Sequence, residues 1–320
     1  MTAAHRRALI RLAVFTGLKK GGSGFIWISK ILIPISFFTT LLVWSGAIDA
    51  MEFILEPVLG LFHLPAAASI PLIIGMLTGI YGAVAAMSAL PLCQAHMTLI
   101  AVFLLIAHNL IQETAVQAKS GLKALPAALI RISAGFITLL AIAPFLTIEP
   151  AAPNMALSNA AFVPFRTMIA DWIWHTGAIS LKIFCIIMGL MVVMEVMKAF
   201  SWINRIERWI RPVLVFLGLP GKVGSIWLAG ALFGLAYGSA VIVEEIKERD
   251  LSPEALQRLQ VSIGINHAMI EDPALFLPLG IPAFWLWVPR LVTAVVMVQA
   301  LRLIQYIRGP GAGRIKQDYR

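Results

Sequence analysis

Apolar residues run with few interruptions through residues 25–48, 92–112, 126–148, 178–199, 255–272 and 283–306. A bilayer-crossing helix needs roughly 20 predominantly apolar residues, so these runs predict membrane helices, the fifth with a continuation past residue 272. Two shorter apolar segments, 68–90 and 222–243, carry paired glycines four residues apart: Gly75 with Gly79, and Gly230 with Gly234. Between the runs, residues 50–62 and 200–217 alternate apolar and charged positions as a helix lying at the membrane interface would. Residues 1–24 include HRRALIRLAVFTGLKK, whose apolar core between Arg11 and Lys19 is too short for a cleaved signal. They predict a basic amphipathic helix on the membrane surface.

The pattern occurs twice. PVLGLFHLP (Pro57–Pro65) returns as PVLVFLGLP (Pro212–Pro220), an offset of 155. Tyr81-Gly82 answers Tyr237-Gly238 at 156, and AHNLIQET answers NHAMIEDP at 159, aligning His108 with His267 and Ile111 with Ile270. Three matches in the same order are a poor fit to chance, and internal repeats of this kind mark many transporter folds. The organisation expected is an N-terminal helix (1–24), a first repeat (25–149), a connector (150–177), a second repeat (178–308) and a basic tail (309–320).

Charge placement separates two topologies. If 68–90 and 222–243 crossed the membrane, Lys198, Arg205, Arg208 and Arg211 would lie outside when the N-terminus is inside. If both are instead re-entrant hairpins, those four fall in the cytoplasm with Lys119, Lys123, Lys247, Arg249, Arg302 and Arg308. The second arrangement obeys the excess of cytoplasmic Lys and Arg. The fold class expected is therefore an all-α polytopic membrane protein of two inverted-topology repeats. Each repeat has about three crossings, an interfacial amphipathic helix and a re-entrant hairpin that turns at Tyr81-Gly82 or Tyr237-Gly238. Both termini face the cytoplasm, and the bilayer is the inner (plasma) membrane.

Composition agrees. The chain is 60% hydrophobic and 13% charged, with mean hydropathy +0.88, whereas soluble domains are about a quarter charged. The formal charge of +9 reflects cytoplasmic loops, and no nucleic-acid-binding fold accompanies it. Cys93 and Cys185 stand alone in apolar surroundings, which does not support a disulfide or metal framework.

The candidate chemistry lies in the few polar residues inside apolar runs, because ionisable groups at membrane depth are costly and tend to serve a function. His108, Asn109, Gln112 and Glu113 form one set, and Asn266, His267, Glu271 and Asp272 the other. Pro273 follows immediately, so the second helix breaks or ends near its acids, and broken helices free backbone groups for ions or polar solutes. Helix-end groups that simply join the two halves are the bland reading. No HExxH motif and no cysteine ligand accompanies the histidines, so no metal is assigned. Arg131 and Arg290 are expected to snorkel or to reach the other repeat. Glu195 and Lys198 are spaced to pair. No phosphate loop, GxSxG or dinucleotide fingerprint is present, and an enzyme is not expected.

LAYGSAVIVEEIKERDLSPEALQRLQVSIGINHAMIEDP and SALPLCQAHMTLIAVFLLIAHNLIQETAVQAKSG resemble the second and first gates of nucleoside-recognition (Gate) domain membrane proteins. That group includes spore-maturation-type membrane proteins and the gate segments of ferrous-iron permeases and concentrative nucleoside transporters. The resemblance spans about 25–307 and implies a hairpin-plus-helix unit used in pairs, without naming a substrate. The function it implies is a secondary-transporter-like protein moving a small polar solute or ion. Its site would comprise Tyr81, Gly82, His108, Asn109, Glu113, Tyr237, Gly238, Ser239, Asn266, His267, Glu271 and Asp272. The other implied reading is a non-transporting scaffold or signalling protein. The partners expected are the lipid bilayer and the solute, with no nucleic acid. A homo-oligomer is compatible with this reading, and no cofactor is identified.

Overall fold

A computed structural model describes residues 3–46, 57, 59–147, 163–200, 202–232, 234–235, 246 and 251–308. Every regular element among the described residues is helical. The helices are α1 (Ala3–Trp44), α2 (Ser69–Thr78), α3 (Ile80–Ala89), α4 (Gln94–Ala107), α5 (Leu110–Lys119), α6 (Ala124–Ile142), α7 (Phe165–Ala199), α8 (Trp202–Phe216), α9 (224–232), α10 (Pro253–Asn266), α11 (Glu271–Phe276) and α12 (Ala283–Arg308). Among the described residues, five stretches are long and apolar enough to cross a membrane: His5–Trp44, Gln94–Lys119, Ala124–Phe145, Phe165–Ala199 and Ala283–Ile307. The chain is an all-α polytopic membrane protein.

The phrase that opens the repeat is a helix stop. Leu64 N–H donates to Leu59 O (3.1 Å) and His63 N–H to Gly60 O (3.0 Å). Likewise Leu219 N–H donates to Leu214 O (2.8 Å) and Gly218 N–H to Val215 O (2.9 Å). The paired bonds, with a left-handed residue at His63 (φ 59°) and Gly218 (φ 76°), define a Schellman cap. The bonded leucines, Leu59 with Leu64 and Leu214 with Leu219, are the buried hydrophobic pair of each cap. Pro65 and Pro220 then restart the chain in extended conformation ahead of 3-10 turns at Ala66–Ala68 and Gly221–Val223. The doubled sequence therefore encodes one local structure twice.

The chain forms two compact units, each built from both halves of the sequence. The first comprises Met1–Ile100, Ala143–Arg205 and Ala274–Ile281. Here α1 and α7 run antiparallel: Gly17 lies against Val192, Gly21 against Met188, and Phe25 stacks edge-on with Phe184. Farther along, Ser36 meets Thr176 at 3.3 Å and Trp44 donates to Val163 O at 2.9 Å. The expected separation of residues 1–24 from the first span does not occur, because α1 is unbroken from Ala3 to Trp44. Gly17 and Gly21 give the reason. A Cβ on Gly17 would stand 2.6 Å from Val192 Cα, so these glycines are the face on which α7 lies, as small residues are in membrane helix pairs. The connector is also shorter than expected, since α7 begins at Phe165, inside the 150–177 stretch. Lys198 and Lys20 both bond Glu195, at 3.1 and 2.9 Å.

In the same unit α2 and α3 fold back on each other, with Gly82 of α3 against Ile74 of α2. The reversal falls at Gly79 (φ 95°), two residues before the expected Tyr81-Gly82 turn. Gly234, 155 positions on, also has a positive φ of 75°. Glycine alone adopts such angles without a Cβ clash, which places the turn there and leaves Tyr81 free to pack edge-on against Trp27.

The second unit comprises Ala101–Ile142, Ile206–Pro273 and Pro282–Arg320. Its core gathers Leu214, Leu217, Trp227, Leu259, Ile263, Ala294 and Val298, with Ile106 and Ala134. α10 packs on α12 and α6, and α5 packs on α6. α8 is the amphipathic helix expected over 200–217. Its first-repeat counterpart at 50–62, the tail 309–320, and Lys247 and Arg249 lie wholly or mostly outside the described residues.

Candidate functional site

Two helix breaks build the site. α4 ends at Ala107, and Asn109 takes a left-handed conformation (φ 45°) before α5 starts. α10 ends at Asn266, and Ala268 takes the same conformation (φ 43°) before α11. Start, end and left-handed residue recur at the 159-residue offset of the His108–His267 pair. Each break strands backbone groups that a continuous helix would bond. Around the second, Ala268 N–H donates to Gly230 O (3.0 Å), Met269 N–H to Ala231 O (2.7 Å), and Trp287 Nε1 to Met269 O (2.8 Å).

Two buried arginines close the broken helix ends. Arg131 on α6 donates through Nε to Ile106 O and through Nη2 to His108 O, both at 2.8 Å. Arg290 on α12 donates through Nε to Ile265 O and through Nη2 to His267 O. A cation at a helix C-terminus is favourable to the dipole. Neither arginine snorkels, as both are 1% exposed. Each serves the break of its own repeat, so the expectation that they reach the surface or the other repeat is corrected. The sequence carried a signal for them: they too stand 159 apart.

At the centre His108 Nε2 lies 3.3 Å from His267 Nε2. Glu113 bridges the pair, with Oε1 3.2 Å from His108 Nε2 and Oε2 3.1 Å from His267 Nε2. Asp272 Oδ2 stands 3.4 Å from His108 Nε2 and 3.9 Å from His267 Nε2. All four side chains are buried. The arrangement is reciprocal. Asp272 is the 159-offset counterpart of Glu113, so the Glu113–His267 contact and the Asp272–His108 contact are one interaction made twice. Arg131 Nη2 adds an ion-pair contact to Glu113 Oε2 at 2.7 Å. Nδ1 of His108 points at Leu104 O (2.7 Å), and Nδ1 of His267 at Ile263 O (3.2 Å) and Gly264 O (3.1 Å).

Of the expected site residues, folding thus gathers His108, Glu113, His267 and Asp272. Asn109 is the turn residue, its amide donating to Gln112 Oε1 at 3.2 Å. Asn266 is fully buried, with neither amide atom hydrogen-bonded. Glu271 is half-buried and aligns with Gln112 rather than with Glu113. Tyr81 and Gly82 belong to the other unit. Tyr237, Gly238 and Ser239 lie outside the described residues. No metal was assigned from the sequence, yet ligand atoms of His108, Glu113 and His267 come within 4.8 Å of one another. Two imidazoles with carboxylates in one buried cluster can hold a cation or relay a proton.

Among known proteins the chain is similar to the uncharacterized membrane protein YvoD of Bacillus subtilis (strain 168). The two are 29% identical over 297 residues, covering 89% of this chain and 92% of that protein. No family model matches the chain, and no solved structure matches it.

Proposed function

We propose that this membrane protein is secondary-transporter-like and moves a small polar solute or ion, using two gate repeats of inverted topology. The observation that carries the reading is the reciprocal His108–Asp272 and His267–Glu113 pairing at two broken helices. Broken helices with ionisable groups at membrane depth are a recurring transporter device. Antiparallel α1 and α7, the opening helices of the two repeats, support inversion. The α2–α3 hairpin followed by a broken helix is the unit the Gate-domain resemblance implies, and re-entrancy of that hairpin is part of the proposal. So are inner-membrane residence, cytoplasmic termini and the absence of a catalytic reaction.

A second reading, a non-transporting scaffold or signalling protein of the spore-maturation type, draws on the arginines, which tie both broken ends shut. Purified protein in liposomes separates the two. Ion- or solute-dependent flux that Glu113→Gln removes supports transport. A sealed vesicle with correctly inserted protein and no flux across divalent cations, nucleosides and small organic anions supports the scaffold.

A further inference from the structure

We infer that His108, His267, Glu113 and Asp272 form a binding site for a divalent transition-metal ion of the Zn²⁺, Mn²⁺ or Fe²⁺ class. That the ion is cargo rests on the transport reading above. Binding stands on the geometry alone.

The histidine lone pairs face the centre of the cluster. A backbone carbonyl only accepts, so Nδ1 of each histidine must carry the hydrogen it shares with Leu104 O, or with Ile263 O and Gly264 O. In the neutral ring that leaves a lone pair on each Nε2. The two lone pairs face each other at 3.3 Å. Carboxylate oxygens of Glu113 and Asp272, which also only accept when ionised, complete the ring at 3.1–3.4 Å, with one longer approach of 3.9 Å. Neutral imidazoles and ionised carboxylates have no hydrogen to share there. A carbonyl fixing the far nitrogen of a metal-binding histidine is the usual outer-shell arrangement.

The spacing also suits an ion. Ligands about 2.0–2.1 Å from a tetrahedral ion stand roughly 3.3 Å from one another. The Nε2–Nε2 distance of 3.3 Å is such an edge, as are the approaches of Glu113 Oε1 to His108 (3.2 Å), Glu113 Oε2 to His267 (3.1 Å) and Asp272 Oδ2 to His108 (3.4 Å), while Asp272 would have to move in from 3.9 Å on the His267 side.

One acceptor at the centre is orphaned. Asp272 Oδ2 is buried and accepts no hydrogen bond, whereas Glu113 Oε2 has Arg131 Nη2 at 2.7 Å. Buried acceptors normally find a partner, and Asp272 Oδ2 stands 3.4 Å from His108 Nε2.

The mixed imidazole–carboxylate set selects the class. It suits Zn²⁺, Mn²⁺, Fe²⁺ and Co²⁺, whereas Ca²⁺ and Mg²⁺ want all-oxygen shells and Cu⁺ wants sulfur. Arg131 against a ligand oxygen weakens the hold on a cation, as a site that must also release its ion requires.

The test uses the full-length protein in detergent, stripped with EDTA and titrated with Zn²⁺, Mn²⁺ or Co²⁺ by calorimetry, with visible absorption read for Co²⁺. One ion per chain is expected, with d–d bands of nitrogen–oxygen ligation, and Ca²⁺ and Mg²⁺ should give no heat. His108→Gln and His267→Gln should each abolish stoichiometric binding. Arg131→Lys, which alters the contact to Glu113 Oε2 and to His108 O but removes no ligand atom, should change affinity by about 10- to 100-fold. The wild-type titration keeps the idea falsifiable even if a variant misfolds: no saturable binding of any of the three ions overturns it and leaves the histidines sharing a proton. The same preparation in liposomes keeps the two readings apart. Binding without flux upholds the metal site and defeats transport, and flux of another solute without metal binding does the reverse.

Discussion

Arg131 and Arg290, 159 residues apart, make the same two bonds: each guanidinium spans a carbonyl two residues before the helix break and the carbonyl of the histidine at the break, Ile106 and His108 for one, Ile265 and His267 for the other. The bond pattern of one repeat is thus copied atom for atom in the other. It holds both histidines in place by their own backbones.

Removing either arginine should therefore cost more than a surface change. Arg131→Ala leaves Glu113 buried beside no cation and strands two carbonyls. Breaking a buried pair in this way costs about 3–5 kcal/mol. Thermal unfolding in detergent should show a large drop for Arg131→Ala and for Arg290→Ala. Unchanged melting of both would contradict the capping role.

The left-handed residues at the breaks make a finer prediction. Ala268 holds a positive φ of 43°, which strains an L-residue by about 1–2 kcal/mol. Ala268→Gly should melt at or above the wild-type temperature, and Ala268→Val clearly below it. The reverse order would show that this backbone conformation does not persist in detergent.

Gly17 and Gly22 lie five residues apart in α1 but have opposite surroundings. A Cβ at Gly17 meets the α7 backbone, whereas one at Gly22 meets nothing within 4 Å. Gly17→Ala should destabilise by about 1–3 kcal/mol through overpacking. Gly22→Ala should be neutral or gain up to about 1 kcal/mol of helix propensity. Equal effects in thermal unfolding would refute the α1–α7 packing.

Acid placement distinguishes neighbours. Asp272, not Glu271, is the counterpart of Glu113, so Asp272→Asn should remove the Zn²⁺-induced rise in melting temperature, and Glu271→Gln should keep it. Loss in Glu271→Gln with retention in Asp272→Asn would move the site.

Inverted topology predicts sidedness. In a chain with Cys93→Ser and Cys185→Ser, single cysteines at Lys123 and Lys198 should resist an impermeant thiol reagent applied to intact cells and react after lysis. Labelling at Lys198 in intact cells would favour parallel halves instead.

The membrane class, the amphipathic helix at 200–217, the repeat and the two His–acid segments were all legible in the sequence, because each is a local property. Burial in lipid needs long apolar runs, an interfacial helix needs one polar face, and a Schellman cap needs leucines and a turn residue at fixed spacing. Periodicity does not record which polar residue faces which. His108 meets Asp272 only because helices far apart in the chain pack together, and Arg131 turns inward because the broken end of α4 offers it carbonyls there. The same holds for Gly17 and Gly21. In the sequence they fall within the segment 1–24 expected to lie apart on the membrane surface, whereas in the fold α7 lies against them within one continuous α1. Local pattern determined which helices form and where they stop. Only the tertiary approach of those helices decided that two histidines and two acids share one buried centre, since an unpaired charge at that depth must be met by whichever groups the packing brings within reach.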